Sequence, residues 1–455
     1  MKRCPECRRD YYDDTLLYCL DDGTPLLDGP AIPSPNETAT AIFSRAAEGS
    51  IGDAVNIPQD HALRVGARNI GRPDEVHIGR AGLAGRPLQF AAVASLFIVV
   101  CVFAYWLASR QTTQVEQPPA TIGSTSQDDY VRAKVLVSSE NKTDIDEAIK
   151  LLERTVAAEP RFAAGWASLA RAYNIKAFYF ASDTERKQLN ENAEVAVEKA
   201  LAIDPNLGEG YFVRGLLLWT HSKRFPHEQA IQAYQKALAL NPKLDEAHHQ
   251  LGLVYLHIGL FDKARAEISK ALEINQGNTL ARFRYGVIDL YRGKYDDAYA
   301  FFKSTPLEKN PALHAFQTAT VLFQLGRADE ATTIIDSYLQ DYPNDEGGVG
   351  TSVKAMIFAK QGKTREAEDA IKRAEELGKN FGHFHHTAFN IASAYAMLKK
   401  ADRAVEWLQL AADDGFPCYP LFDNDPGLTN IRQDPKFVSF MSKMKQQWER
   451  FNATL

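Results

Sequence analysis

The sequence predicts an all-α solenoid of about eight helical hairpins, together with one membrane-spanning helix and a small cysteine-bearing tip at the N-terminus. Two observations lead there. Over the C-terminal two-thirds, a small-residue turn, a charged pair and an alanine recur about every 34 residues. The copies read Ile258-Gly259-Leu260-Phe261-Asp262-Lys263-Ala264, Arg292-Gly293-Lys294-Tyr295-Asp296-Asp297-Ala298, Leu325-Gly326-Arg327-Ala328-Asp329-Glu330-Ala331 and Gln361-Gly362-Lys363-Thr364-Arg365-Glu366-Ala367. Ahead of them stands an apolar run from Leu88 to Leu107. A period of that length means helix pairs, each burying its apolar faces only against its neighbours.

The units can be read in order. Ala148, Leu152 and Pro160 suggest a degenerate first copy, and the clearest follows, opening with Trp166, Leu169, Ala170 and Tyr173 and closing with Ala193, Val197, Ala200 and Pro205. Between its helices an insertion of about ten residues surrounds Phe178-Tyr179-Phe180. The next has Tyr211, Gly215, Leu218, Ala230, Tyr234, Ala237 and Pro242; another has Leu251, Gly252, Tyr255, Ala264, Ile268 and Ala271. Later copies keep fewer positions: Tyr285, Gly286, Ala298 and Phe302; Leu322, Ala331, Ile335 and Pro343; Phe358, Ala367, Ile371 and Ala374; Ile391, Ala392, Tyr395, Ala404, Leu408 and Ala411. Small residues let paired helices approach closely, and the glycines at 259, 293, 326 and 362 sit where a first helix must stop.

This pattern of Trp, Leu, Gly and Tyr, then Ala and Phe, then Pro resembles the tetratricopeptide repeat. The resemblance covers residues 128–416 and implies a protein or peptide partner held on the concave face. It places Phe212, Leu216, Trp219, His249, Leu253, Leu256, Phe283, Val287, Leu290, Phe316, Phe323 and Phe389 on that face. The strip is apolar and aromatic, where a clamp for a carboxylate terminus would show lysine, arginine and asparagine. An amphipathic helix or an extended apolar peptide suits it.

Residues 417–455 read as a capping region. Phe437, Phe440, Met441, Met444 and Trp448 fall at helical spacing, with Lys436, Lys443 and Lys445 on the other side, as expected of a helix sealing the open end of a solenoid. The run Leu88 to Leu107, about twenty residues at about 1.5 Å each, is long enough for a bilayer core of roughly 30 Å. Arg64, Arg68, Arg72, Arg80 and Arg86 precede it, whereas little but Arg110 follows. The excess of arginine predicts a cytoplasmic N-terminus, an inner-membrane anchor and repeats on the periplasmic or extracellular side. Residues 28–87 and 108–127 are aperiodic linkers, too poor in apolar side chains to order alone.

The tip, residues 1–27, holds Cys4-Pro5-Glu6-Cys7 and then Cys19-Leu20-Asp21-Asp22. One knuckle followed by half of another resembles a zinc ribbon, with Cys4, Cys7 and Cys19 as thiolate ligands and Asp22 as the fourth, oxygen ligand for Zn²⁺. A metal-free remnant or a labile thiol pair remains the alternative. No strand–helix alternation of thioredoxin type surrounds the motif.

Other motifs carry less. Gly362-Lys363-Thr364 looks like the end of a phosphate-binding loop, yet Ile357 stands where that loop needs glycine. His383, His385 and His386 are dense, and with His314 or with His248 and His249 would make a metal set, but at no recognised spacing; they read as surface or packing residues. A net charge of −6 argues against wholesale nucleic-acid binding. No catalytic constellation or small-molecule site is recognisable, so the reading is a non-enzymatic membrane scaffold; the alternative is a transmembrane signalling component whose tip docks a regulator or nucleic acid.

Overall fold

The computed structural model describes Lys2–Arg3, Asp10–Tyr11, Leu27–Asp28 and residues 123–455 except 139–140, 309 and 379–380. The first three segments are strands β1, β2 and β3, forming one antiparallel sheet in the order β2-β1-β3, with Lys2 opposite both Tyr11 and Asp28. Cys4, Cys7, Cys19 and Asp22, the linkers up to residue 122 and the run Leu88 to Leu107 lie outside the described residues. Among the described residues no helix is long and apolar enough to cross a membrane.

The repeat unit is all helical. Sixteen helices pair in sequence order into eight hairpins: α1 (Ser124–Val137) with α2 (Lys142–Ala158), α3 (Ala163–Tyr179) with α4 (Asp183–Ile203), α5 (Gly208–Leu218) with α6 (His227–Leu240), and α7 (Asp245–His257) with α8 (Phe261–Ile274). Then come α9 (Thr279–Tyr291) with α10 (Tyr295–Ser304), α11 (Pro311–Gln324) with α12 (Ala328–Asp341), α13 (Val349–Lys360) with α14 (Thr364–Gly378), and α15 (Phe384–Met397) with α16 (Ala401–Asp413). The expected number of hairpins is therefore present, and α1 supplies the first helix that the sequence left undefined.

Local chemistry explains the hairpins. The glycines at 259, 293, 326 and 362 all turn the chain at φ between 74° and 77°, a region that costs an L side chain about 1–2 kcal/mol. Gly362-Lys363-Thr364 is thus an inter-helix turn, with Thr364 opening α14. Within hairpins, a Cβ at Gly215 would lie 2.4 Å from the Tyr234 ring, and one at Gly286 2.5 Å from Phe302. At both positions the partner ring fills the space that a side chain would need. The insertion around Phe178 proves to be helix rather than loop: α3 runs to Tyr179 and α4 starts at Asp183, so the extra residues lengthen both helices.

The C-terminal region reaches further than the last hairpin. After α16 the chain turns at Gly415 (φ 102°) and forms α17 (Tyr419–Asn424), a short 3₁₀ segment over Pro426–Ile431 and α18 (Pro435–Thr454). Phe437, Phe440, Met441 and Met444 are buried, and α18 packs on α16, the second helix of the last hairpin, while also reaching back along the array. Trp448 Nε1 donates to the Gly259 carbonyl at 3.1 Å, Cys418 Sγ to the Leu256 carbonyl at 3.7 Å and Gln324 Nε2 to Asp425 Oδ2 at 3.0 Å. The tail returns from the last hairpin to the fourth and lies along the concave face.

Candidate functional site

The nominated groove is interior. Phe212, Trp219, His249, Leu253, Leu256, Phe283, Val287, Leu290, Phe316, Phe323 and Phe389 are all buried, Phe283 to 0% exposure, and Leu216 is half-buried. The apolar strip is real, but it is not open to a ligand. Phe416 and Phe422 cover it, Phe422 stacking on Phe389 at 5.3 Å, while Phe283 stacks on Phe302 at 4.7 Å inside its own hairpin.

At the centre of that interior lie four histidines. His257 ends α7, and His383, His385 and His386 precede and open α15; one ring nitrogen from each lies within 4.8 Å of those of the other three. His385 and His386 have ring centres 4.5 Å apart, His257 and His386 5.1 Å, and Phe416 packs 4.8 Å from His386. Neither His314 nor the His248–His249 pair belongs to the group. His248 bonds Glu267 at 2.6 Å, and His314 Nε2 lies 3.3 Å from the Phe302 carbonyl.

Hydrogen bonds fix several of these rings. The Leu253 carbonyl holds His257 Nδ1 at 2.8 Å, which makes Nδ1 the protonated nitrogen and leaves Nε2 as a lone pair, buried and without a partner. His386 Nδ1 lies 3.4 Å from the Tyr291 hydroxyl, and His383 Nδ1 3.5 Å from His385 Nε2. On the far side of His385, Nδ1 lies 3.6 Å from Asp414 Oδ2, and neither atom has a hydrogen-bond partner; the other Asp414 oxygen meets His221. Burial holds the pKa of His383 down at about 3 and those of His257 and His386 well below the usual imidazole value, with neighbouring histidines adding to the shift. These three rings are neutral at physiological pH.

One cation stands nearby. Arg284 on α9 has an unpartnered Nε, forms no ion pair among the described residues and is pulled below the ordinary arginine value by burial, against the attraction of Tyr291 and Tyr179. At the rim, where α3 meets the start of α15, Phe178 and Tyr179 stand 43% and 54% exposed with ring centres 4.7 Å apart. Phe178 also lies 5.6 Å from His383. Arg284 Nε is buried, so what the rim itself presents is the two aromatics.

Family models for the tetratricopeptide repeat match residues 227–259, 245–278 and 353–420, within the third, fourth, seventh and eighth hairpins. The chain carries tetratricopeptide repeats. No curated protein matches it. Among solved structures it is similar to a tetratricopeptide repeat protein from Parabacteroides merdae, with 19% identity, 64% of this chain and 100% of that one covered and a TM-score of 0.40. It is similar also to a thermophilic TPR protein of Thermus thermophilus, at 23% identity, 45% and 95% coverage and a TM-score of 0.32. With yeast Tom70 the identity is 14%, the coverage 72% and 70% and the TM-score 0.37.

In a tetratricopeptide array the concave positions of first helices can be named from sequence, and His249, Leu253 and Leu256 were. His257, one residue beyond, was missed. Its signal was a histidine on the last turn of a first helix, and nothing local ties it to a cluster far along the chain. Arg284 gave a weaker signal still, one residue past the concave position of Phe283.

Proposed function

We propose that this chain is a membrane-anchored, non-enzymatic scaffold whose repeats hold a protein partner at the rim of the closed superhelix, rather than in an open groove. The carrying observation is the exposed pair Phe178 and Tyr179, their rings 4.7 Å apart. Two exposed aromatics offer rigid apolar contact at low entropic cost. The fitting occupant is a peptide segment that offers an apolar side chain to the two rings. The apolar run Leu88 to Leu107 and the arginines before it support the anchor and an outward-facing repeat unit.

A membrane-impermeant crosslinker added to spheroplasts tests both parts. The repeats should crosslink to a partner protein, and the double variant Phe178→Ala, Tyr179→Ala should lose most of the crosslink while keeping its melting temperature. Wild-type crosslinking by the variant sinks the rim. Crosslinking that only a permeant reagent achieves sinks the orientation.

A second reading adds a metal-stapled tip that docks a cytoplasmic regulator or nucleic acid. Supporting it, the segment joining β1 to β2 contains Cys4 and Cys7, and that joining β2 to β3 contains Cys19 and Asp22. Strands of two residues bury too little to hold a sheet by themselves, which is the situation a zinc staple relieves. The full chain should bind Co²⁺ with a sulfur-to-metal charge-transfer band. Replacing Cys4, Cys7 and Cys19 by serine should abolish the band, and Asp22→Ala should weaken binding about tenfold; a wild-type chain lacking the band rules the staple out.

A further inference from the structure

We propose that His257, His383, His385 and His386 constitute a divalent transition-metal site of all-imidazole type, which when loaded clasps the fourth hairpin to the eighth. Neutral imidazole is the ligand that Zn²⁺, Co²⁺, Ni²⁺ and Cu²⁺ share. Bonds of about 2.0–2.1 Å in a tetrahedron place ligand nitrogens roughly 3.4 Å apart. His383 Nδ1 and His385 Nε2 are already 3.5 Å apart, and the whole set lies within 4.8 Å, so loading needs only small ring shifts.

The surroundings match what metal-bound histidines require. A ligating imidazole gives its second nitrogen to a carbonyl, a carboxylate or a hydroxyl. His257 Nδ1 is held by the Leu253 carbonyl, His385 Nδ1 faces Asp414 and His386 Nδ1 faces the Tyr291 hydroxyl. The same arrangement leaves His257 Nε2 buried without a partner, which is costly in a finished interior. A bound ion supplies that partner. His257 and His385 are 1% and 0% exposed while His383 and His386 are half-buried, so the ion has a way in past the second pair. A cavity of about 30 Å³ borders His386, Tyr291 and Phe416. Four protein ligands leave no open position, so the ion's role is structural and not catalytic.

The electrostatics set the strength and supply the decisive control. Four neutral ligands leave the ionic charge uncompensated; the Asp414 carboxylate behind His385 offsets part of it, and the Arg284 guanidinium opposes it. A metal site is therefore strengthened by removing Arg284. A pocket for a small anion, the other use of neutral imidazoles beside a guanidinium, is weakened by the same change. Cys418 on the tail is not one of the four: its Sγ lies 3.7 Å from the Leu256 carbonyl.

The test is Co²⁺ titration of the full chain with Cys4, Cys7 and Cys19 replaced by serine, so that only the repeats report. One Co²⁺ should bind with intense visible absorption of tetrahedral type, no sulfur charge-transfer band and a raised melting temperature. His386→Gln and, separately, His257→Gln should weaken binding at least tenfold, and Arg284→Gln should tighten it. Because His257 is buried, circular dichroism accompanies each variant; if His257→Gln does not fold, His386→Gln at the more open ring decides. Co²⁺ affinity unchanged in His386→Gln overturns the proposal. So does a melting temperature raised by inorganic phosphate and not by Co²⁺, with Arg284→Gln abolishing the effect.

Discussion

Acidification from about pH 7 to about pH 5, in the presence of chelator, is expected to lower the melting temperature of the repeats by roughly 10 °C. The cause is a set of imidazoles that fold in the neutral state. Burial depresses His227 and His249 to about 3 and His257 well below the usual value, and all three are almost inaccessible to solvent. The sign follows from linkage. A group whose folded pKa lies below its unfolded value takes up its proton only on unfolding, so stability is kept above about pH 6.5 and lost below it, continuing down to the folded pKa. At about pH 5 His227 and His249 each remove about 2 kcal/mol, and His257 acts in the same direction. His383 and His386 act in the same direction, but less, because they retain some solvent contact. Asp425 works the other way: burial raises its carboxyl to about 6, so acid relieves a buried charge, yet one such group returns only about 1 kcal/mol at that pH. Thermal melts across this range, with a flat melting temperature between about pH 7 and about pH 5, would show that the histidines are not held neutral.

Phe416→Ala is expected to cost about 3–5 kcal/mol, the range for deleting a buried phenylalanine whose neighbours cannot collapse. Phe416 is 0% exposed, and its ring lies 5.5 Å from those of His257 and Tyr291, 5.8 Å from His385 and 5.9 Å from Phe422. Those residues belong to α7, α9, α15 and α17, so no single shift fills the hole. Phe178→Ala, at an exposed ring of the same kind, should stay within about 0.5 kcal/mol. Urea unfolding of the two variants makes the comparison; equal midpoints would mean that the tail does not seal the interior.

The hairpins were legible because each helix carries its own share of the pattern: Gly259, Gly293, Gly326 and Gly362 mark turns by a requirement that the backbone imposes locally. The concave strip was legible as a set of positions but not as an interior. Whether Phe389 or Leu256 meets solvent depends on where residues 414–455 go, and Tyr419 to Pro426 has no periodicity to show its destination. The insertion at Phe178 misled for a related reason: aromatic residues between two repeat helices look like loop until both helices are seen to extend over them. His257, Arg284 and Asp414 come together only because the superhelix closes, and no sequence spacing records that.

Closure also changes how such an array can be assembled. In an open solenoid every contact is local, so repeats consolidate as they emerge and the order of synthesis matters little. Here the Leu256 carbonyl waits for Cys418, the Gly259 carbonyl for Trp448 and Glu228 for Arg450. Residues 418–450 thus complete hairpins laid down much earlier, and the aromatic strip stays uncovered until that segment has been made. A nascent chain still lacking it presents Leu256 and Phe389 to solvent, as an unfinished protein does to chaperones and proteases. That segment therefore decides whether the array is closed.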